Sequence, residues 1–416
     1  MEETATQETF KNYMYFWVGQ LFSLLGSLVL SFAIFVWITD VTGSALMLSI
    51  ANFIFLIPML VITPFAGVIS DRYNRKIMIL VVDSLQAFLS VILALLFIVG
   101  FTELWLVFMF IGLRSVCQSF HSPAVMAIMP IMVPKDKLSR VNGIRYFFIG
   151  IVQLAGPAVG AILLFFFPIK YILWIDVITF FIALIPLITL KLPTIKIDVN
   201  PIEKNSFFEE FKGGLAVIKT IPGLLTIMLI AMMLFMLSQP AMVLAPFFIK
   251  VVHGGNNFTL ALIQMIMQGG MILGALVPFF KKKWKNQIRV LFIGMIIINF
   301  GYLLYGLAPI GFYSIIGAGA FIMGFIIPIV DIIVITVVQS TVPSDKMGRV
   351  SSILNTLMMV ASPIGAILAG PLSELLGVSF LYMICAILGI IITVIPYVFT
   401  GIRHVDYNKE ILKSPI

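Results

Sequence analysis

Four ionisable residues sit inside long apolar runs, and their types define the chemistry open to this chain. Asp83, Asp176 and Asp331 each lie within such a run, and Arg114 lies within another, with Gln118 four residues on. A carboxyl group withdrawn from water can bind and release a proton near neutral pH as its access to water changes, so Asp176 and Asp331 are candidate proton carriers. A cation near mid-membrane costs about 2.5–3.5 kcal/mol on insertion scales. Arg114 must therefore face a bundle interior and be paired, and Gln118 shares its helical face. Charge is also concentrated in the hinge Gly67-Val68-Ile69-Ser70-Asp71-Arg72-Tyr73-Asn74-Arg75-Lys76 between two apolar runs. Asp83, about two turns into the run that follows, is expected to join the network of this hinge.

The elements that hold these residues must cross a membrane. With 61% hydrophobic and 11% charged residues in 416 and a mean hydropathy of +1.14, the chain has more apolar surface than a water-facing fold can hide. A hydrocarbon core about 30 Å thick needs roughly 20 apolar residues per helix. Twelve such runs are present, over 15–39, 45–70, 77–100, 104–133, 144–166, 171–190, 224–248, 260–280, 290–307, 310–339, 353–376 and 380–400. Their unbroken apolar character excludes barrel strands, which would alternate in polarity, and predicts an all-α membrane protein. Residues 1–14 carry Glu2, Glu3 and Glu8 against Lys11, unlike the basic start of a signal peptide, and are expected to remain as a short tail.

The basic residues orient the chain. Of the 26 lysines and arginines, Lys170 and Lys250 fall in loops on one side and Arg114 within a helix, while the remainder fall on the other side. The positive-inside bias makes that richer side cytoplasmic, with both termini on it. A multi-pass protein of the plasma membrane is expected. The net charge of +8 is then a topological signal, and nucleic-acid binding is not implied. Cys117 and Cys385 sit in apolar runs and read as buried thiols. His121, His253 and His404 lack ligand spacing, so no metal is implied.

Val133, Pro134, Asp136, Lys137, Arg140, Val141 and Ile144 match Val342, Pro343, Asp345, Lys346, Arg349, Val350 and Ile353, all at an offset of 209 residues. Each half therefore reads as one six-helix unit, and two such units with a mid-membrane cavity at their interface make a transporter architecture. The expected organisation is a cytoplasmic tail (1–14), a first bundle (15–190), a cytoplasmic linker (191–222), a second bundle (223–400) and a cytoplasmic tail (401–416). Within the linker, Ser206 and Glu209 fit a capping box, and Phe208, Phe211, Leu215 and Ile218 recur at helical spacing. A short amphipathic helix on the cytoplasmic membrane face is predicted, with Gly213 and Gly214 weighing against it.

Gly67, Asp71, Arg72, Arg75 and Lys76 resemble the loop signature of the major facilitator superfamily, with Asn74 where that family usually has glycine. Asn tolerates the left-handed conformation, so the turn is expected to survive. The corresponding stretch of the second half, 274–283, keeps the bases but lacks the acid. In the fifth run, Gly143, Gly156, Pro157 and Gly160 resemble the family's antiporter motif, with Val152 and Ala161 replacing two of its glycines. Arg114 matches the family's fourth-helix arginine, which implies a role in proton coupling or a charge network. Across the chain, the Asp71-Arg72 loop, the Ser122-Pro123-Ala124 to Val133-Pro134 stretch and Trp174-Ile175-Asp176 are most similar to the macrolide-efflux branch.

The resemblance implies a drug/proton antiporter that exports amphipathic small molecules, works as a monomer, and draws on the proton gradient rather than a cofactor. Antibiotic resistance would be the consequence. Gln20, Gln118, Gln239, Gln264 and Gln268 are candidate cavity residues. Asp71 is expected to stabilise the outward-facing state, so that Asp71→Asn shifts the population inward. A proton-coupled nutrient symporter would want a more polar cavity than Gln20, Gln153, Gln239, Gln264 and Gln268 offer. A receptor or scaffold without transport would be consistent with the missing second acid. An enzyme is not expected, because no Ser-His, His-rich or paired-acid cluster occurs on the loops.

Overall fold

The computed structural model describes residues 6–134, 137–190, 207–280, 284, 286–343, 346–405 and 407; the side chains of 67, 68, 71, 72, 130, 139, 140, 143, 146, 207–211 and 278–280 lie outside that description. Among the described residues all regular structure is helical. The helices are α1 (Gln7–Thr42), α2 (Ala45–Arg72), α3 (Arg75–Ile98), α4 (Leu104–Met132), α5 (Leu138–Phe166), α6 (Ile169–Thr189), α7 (Phe207–Thr220), α8 (Leu224–Val243), α9 (Ala245–Phe247), α10 (Asn257–Phe280), α11 (Gln287–Leu307), α12 (Tyr313–Thr341), α13 (Met347–Leu376) and α14 (Val378–Phe399). All except α7 and α9 are long and apolar enough to cross a membrane, which gives 12 candidate spans. Lipid offers the backbone no hydrogen bonds, so each span must satisfy its own N–H and C=O groups, and a helix does so.

The chain forms two compact units, one of Met1–Gly43 with Ile50–Asn200 and the other of Ser44–Ser49 with Pro201–Ile416. In the first unit α1 packs on α5 and α6, and α3 packs on α4 and α6. In the second, α8 packs on α13 and α14, and α11 on α12 and α14, which repeats the same four pairings. The loop repeat sits at equivalent points of the two units. The Lys137 N–H donates to the Pro134 carbonyl at 2.9 Å and the Lys346 N–H to the Pro343 carbonyl at 3.0 Å. Backbone angles agree as well, φ −100 and ψ −11 at Lys137 against φ −108 and ψ −6 at Lys346. One sequence pattern builds one turn twice, so the units are pseudo-symmetric.

Some spans differ from the apolar runs, and the differences have physical reasons. Helices α1 and α5 begin earlier, at Gln7 and Leu138 rather than 15 and 144, because a helix continues past the hydrophobic stretch that hydropathy registers. Thr6 caps α1 through the Thr9 N–H, with the Thr9 hydroxyl returning to the Thr6 N–H. The run 224–248 does not stay one helix: α8 ends at Val243, and after α9 the chain makes a π turn over Phe248–Val252. Pro246 has no N–H to give the preceding turn and disfavours helix at Ala245. Asn74 does not adopt the left-handed conformation. Its φ of −65 and ψ of 111 are extended, and its side chain accepts the Lys76 and Ile77 N–H groups, so Asn serves as the N-cap of α3.

Between the bundles, Ser206 and the side chains of Phe208, Glu209 and Phe211 lie outside the described residues. Helix α7 packs on α13, and Ile218 is fully buried in the second unit's apolar core. Gly213 and Gly214 face Arg349 and Ile353 of α13. Glycine, a poor helix former, is tolerated here because a side chain at 214 would collide with Ile353. Gly223, at φ +76 in the α7–α8 turn, lies under Ile402 and Tyr407, whose hydroxyl donates to the Pro222 carbonyl at 2.7 Å.

Candidate functional site

Buried charge is confined to the first unit: among the described residues, Asp83, Arg114, Arg145 and Asp176 are the buried acids and bases other than histidine. Three of them lie on one polar seam shared by α1, α3, α4 and α6. Asp83, Gln86 and Ser90 fall on one face of α3, and Arg114, Gln118 and His121 on one face of α4, because residues three, four and seven apart align along a helix.

At one end of the seam Arg114 grips Asp176 with both terminal guanidinium nitrogens, Nη1 to Oδ2 at 2.7 Å and Nη2 to Oδ1 at 3.2 Å. Ser27 donates to Oδ1 at 2.7 Å and Ser90 to Oδ2 at 2.6 Å, so each carboxylate oxygen accepts twice. Arg114 Nη1 also contacts the Ser90 hydroxyl and donates to the Gln86 carbonyl at 3.2 Å. Gly26 of α1 makes the approach of α6 possible, since a Cβ there would collide with Thr179 and the Asp176 backbone. A small pocket lined by Leu30, Ser31, Ile34, Phe35, Ile111 and Arg114 opens beside the guanidinium. A carboxylate with a bidentate cation and two hydroxyl donors is held as the anion, which makes this pair an electrostatic anchor.

The other end is built on Asp83. His121 Nε2 lies 3.2 Å from Asp83 Oδ1 and 2.9 Å from Gln20 Oε1, while the Gln20 amide nitrogen donates to Asp83 Oδ2 at 3.5 Å. Asp83 and Gln20 are 5% and 7% exposed. Sequence reasoning missed His121, having sought metal-ligand spacing among the histidines. The available signal was its position seven residues after Arg114. The other histidines serve elsewhere: His253, outside the spans, accepts the Gly311 N–H at Nδ1, and burial holds its imidazole below the usual histidine range. His404 accepts from Arg403 at the surface.

The loop residues act on helix ends. Arg75 donates to the Ala127 carbonyl of α4 at 2.9 Å. Lys76 donates to the Ile188 and Leu190 carbonyls at 3.1 and 2.7 Å, closing the C-terminus of α6 where a cation also suits the helix dipole. Gly67, Asp71 and Arg72 fall within α2, and their side chains lie outside the described residues. In α5, a Cβ on Gly156 would strike Leu28, and one on Gly160 would strike Phe32, so these glycines seat α1. Pro157 lies within the helix beside them, and the Gly143 position is outside the description of side chains.

The remaining candidates are dispersed. Gln118 is half-buried on α4. In the second unit Gln239 is buried and accepts from Ser362 at 3.3 Å. Gln264 and Gln268 are half-buried on α10, and the Gln268 Oε1 is buried without a hydrogen-bond partner among the described residues. Asp331 lies exposed on α12 without a hydrogen bond or ion pair among the described residues. At the repeat offset of 209, Asp83, Ser90, Arg114 and Asp176 correspond to Phe292, Asn299, Met323 and Cys385, all buried. The second unit carries an uncharged counterpart of the seam.

Comparisons with known proteins agree with this architecture. Macrolide efflux protein A of Streptococcus pyogenes is 27% identical over 390 residues, covering 94% of this chain and 96% of its own length. Multidrug efflux pump Tap of Mycolicibacterium fortuitum is 24% identical over 385 residues, covering 88% and 90%. Among solved structures, the nucleoside transporter NupG superposes with a TM-score of 0.66 at 14% identity, over 96% of this chain and all of the other. A bacterial homolog of the human lysosomal transporter Spinster, in an inward-facing and unoccupied conformation, gives 0.67 at 13% identity, over 99% and 100%. These folds and relatives are those of transporters, not enzymes. The sequence model of the Major Facilitator Superfamily matches residues 16–366, from within α1 to within α13, and the chain belongs to that family.

Proposed function

We propose that this transporter exports amphipathic small molecules of the macrolide or multidrug type across the cell membrane by alternating access, in exchange for protons. The observation that carries this reading is the similarity, over nearly the full length of both chains, to Macrolide efflux protein A, with the multidrug pump Tap alongside it. Proton exchange further requires acids within the spans, and Asp83, Asp176 and Asp331 are such acids. Arg114 holds Asp176 as a fixed charge, so its role is electrostatic, whereas Asp331 has a carboxyl group open to protons. An exposed acid at this depth must face water rather than lipid. The loop from Gly67 to Lys76 gates the cycle, and the glycines and Pro157 of α5 let that helix shift against α1.

The protein works as a monomer with both termini in the cytoplasm, and the proton gradient replaces any cofactor. One proton crossing about 100 mV supplies about 2.3 kcal/mol. That sustains a roughly fifty-fold substrate gradient at about 1.4 kcal/mol per decade. Cells producing the protein should hold several-fold less labelled macrolide than cells without it, and a protonophore should erase the difference. A difference that survives the protonophore would rule out proton coupling.

A further inference from the structure

We infer that His121 and Asp83, bridged by Gln20, form a proton-binding pair inside the first unit. Its use in transport rests on the exporter reading above; the binding of the proton does not.

The geometry fixes where the proton goes. His121 Nε2 faces two acceptors, Gln20 Oε1 and Asp83 Oδ1, so that nitrogen carries a hydrogen whether the ring is neutral or charged. Gln20 turns its carbonyl to the ring and its amide nitrogen to Asp83 Oδ2, which orients both partners. The ring's Nδ1 has no hydrogen-bond partner among the described residues, and a proton arriving there makes an imidazolium. Uptake takes the pair from one net negative charge to zero without moving a side chain. Release to the opposite side restores the carboxylate's uncompensated charge. A neutral pair is the cheaper occupant of a buried site, so loading and release change the electrostatic cost of the whole seam. Two interacting groups of this kind titrate as one.

The groups around the pair do not compete for that proton. Asp176 on α6 is tied to Arg114 of α4, which keeps its charge throughout. Cys117 on α4 is a buried thiol. Tyr13 of α1 and Arg145 of α5 interact with each other toward the start of α1. Within α3, Gln86 and Ser90 lie on the face of Asp83 and contact Arg114, and neither titrates. Imidazole is the side chain whose ordinary range spans physiological pH. The second unit has Phe292 and Val330 at the positions 209 residues on from Asp83 and His121, so the pair occurs once.

Two measurements on the full-length protein test the inference. Because the chain has three histidines, histidine-selective nitrogen NMR in lipid nanodiscs can follow His121 directly. Its Nδ1 should take up a proton, and Asp83→Asn should weaken that uptake, because the carboxylate facing the ring is gone. In proteoliposomes, His121→Gln should lose at least about tenfold of pH-gradient-driven macrolide transport while its thermal unfolding stays near that of the wild type. The glutamine amide can still bond Gln20 and Asp83, so this arm holds even if Asp83→Asn does not fold. Proton uptake at Nδ1 unchanged by Asp83→Asn, or wild-type gradient-driven transport by His121→Gln, would overturn the inference. Wild-type transport indifferent to the gradient would instead sink the exporter reading, and the NMR would still decide whether the pair binds the proton.

Discussion

Asp176→Asn should destabilise the first unit by about 3–5 kcal/mol, because it leaves the Arg114 guanidinium buried without its counter-ion. The side chains of Arg114 and Asp176 are 9% and 5% exposed, so water cannot replace what is lost. Arg114→Gln should cost a similar amount, leaving Asp176 with two hydroxyl donors and no cation. The repeat indicates how the loss can be repaired. Its second copy has Met323 and Cys385 at the matching places and is a folded unit of the same pairings. The double variant Arg114→Met with Asp176→Cys should therefore recover much of the stability that either single change removes, since an uncharged pair carries no desolvation penalty. Thermal unfolding of the detergent-purified proteins reads all of these. An Asp176→Asn protein that melts with the wild type would show the pair to be dispensable.

A second large effect is expected where α10 crosses α12. Gly270 and Gly274 of α10 lie against Phe321, Gly324 and Phe325 of α12, and Gly324 lies against the Met267 backbone. These are contacts between main chains, which cannot rotate away as a side chain can. A Cβ at 274 would fall on the Phe325 carbonyl, and one at 324 on the Met267 carbonyl. Overpacking a core costs about 1–3 kcal/mol for side chains that can adjust, and more is expected here because the helices themselves must separate. Gly274→Leu and Gly324→Leu should leave little folded protein in the membrane, with Gly274→Ala intermediate. Quantifying monodisperse protein by size-exclusion chromatography is the check, and a normal yield of Gly324→Leu would contradict the close crossing.

Much of this structure was legible from hydropathy and from the repeat. Twelve apolar runs became twelve spans, and the Val133 and Val342 loops became the same turn in each unit, because lipid leaves a spanning segment few alternatives to helix. Helix ends were less legible, since the start of α5 at Leu138 and the break after Val243 depend on residues beyond the apolar stretch and on Pro246. The pairing of Arg114 with an acid was expected from its charge alone, but which acid it meets depends on how α4 and α6 pack. Asp83 illustrates the limit. Its position near the start of α3 suggested the loop, whereas the fold gives it Gln20 and His121, from helices that are distant in sequence. At Asn74 the turn uses the side-chain oxygen rather than a left-handed backbone, a choice that residue type alone leaves open.

In the proposed cycle, movement of substrate outward is tied to movement of protons inward. Proteoliposomes containing the purified protein, loaded with an acidic lumen and a pH-sensitive dye, test it most directly. Adding a labelled macrolide should produce accumulation inside together with alkalinisation of the lumen, and both should vanish when the gradient is collapsed. Accumulation of the macrolide at the same rate with and without the gradient, and no change in lumenal pH, would rule out proton exchange.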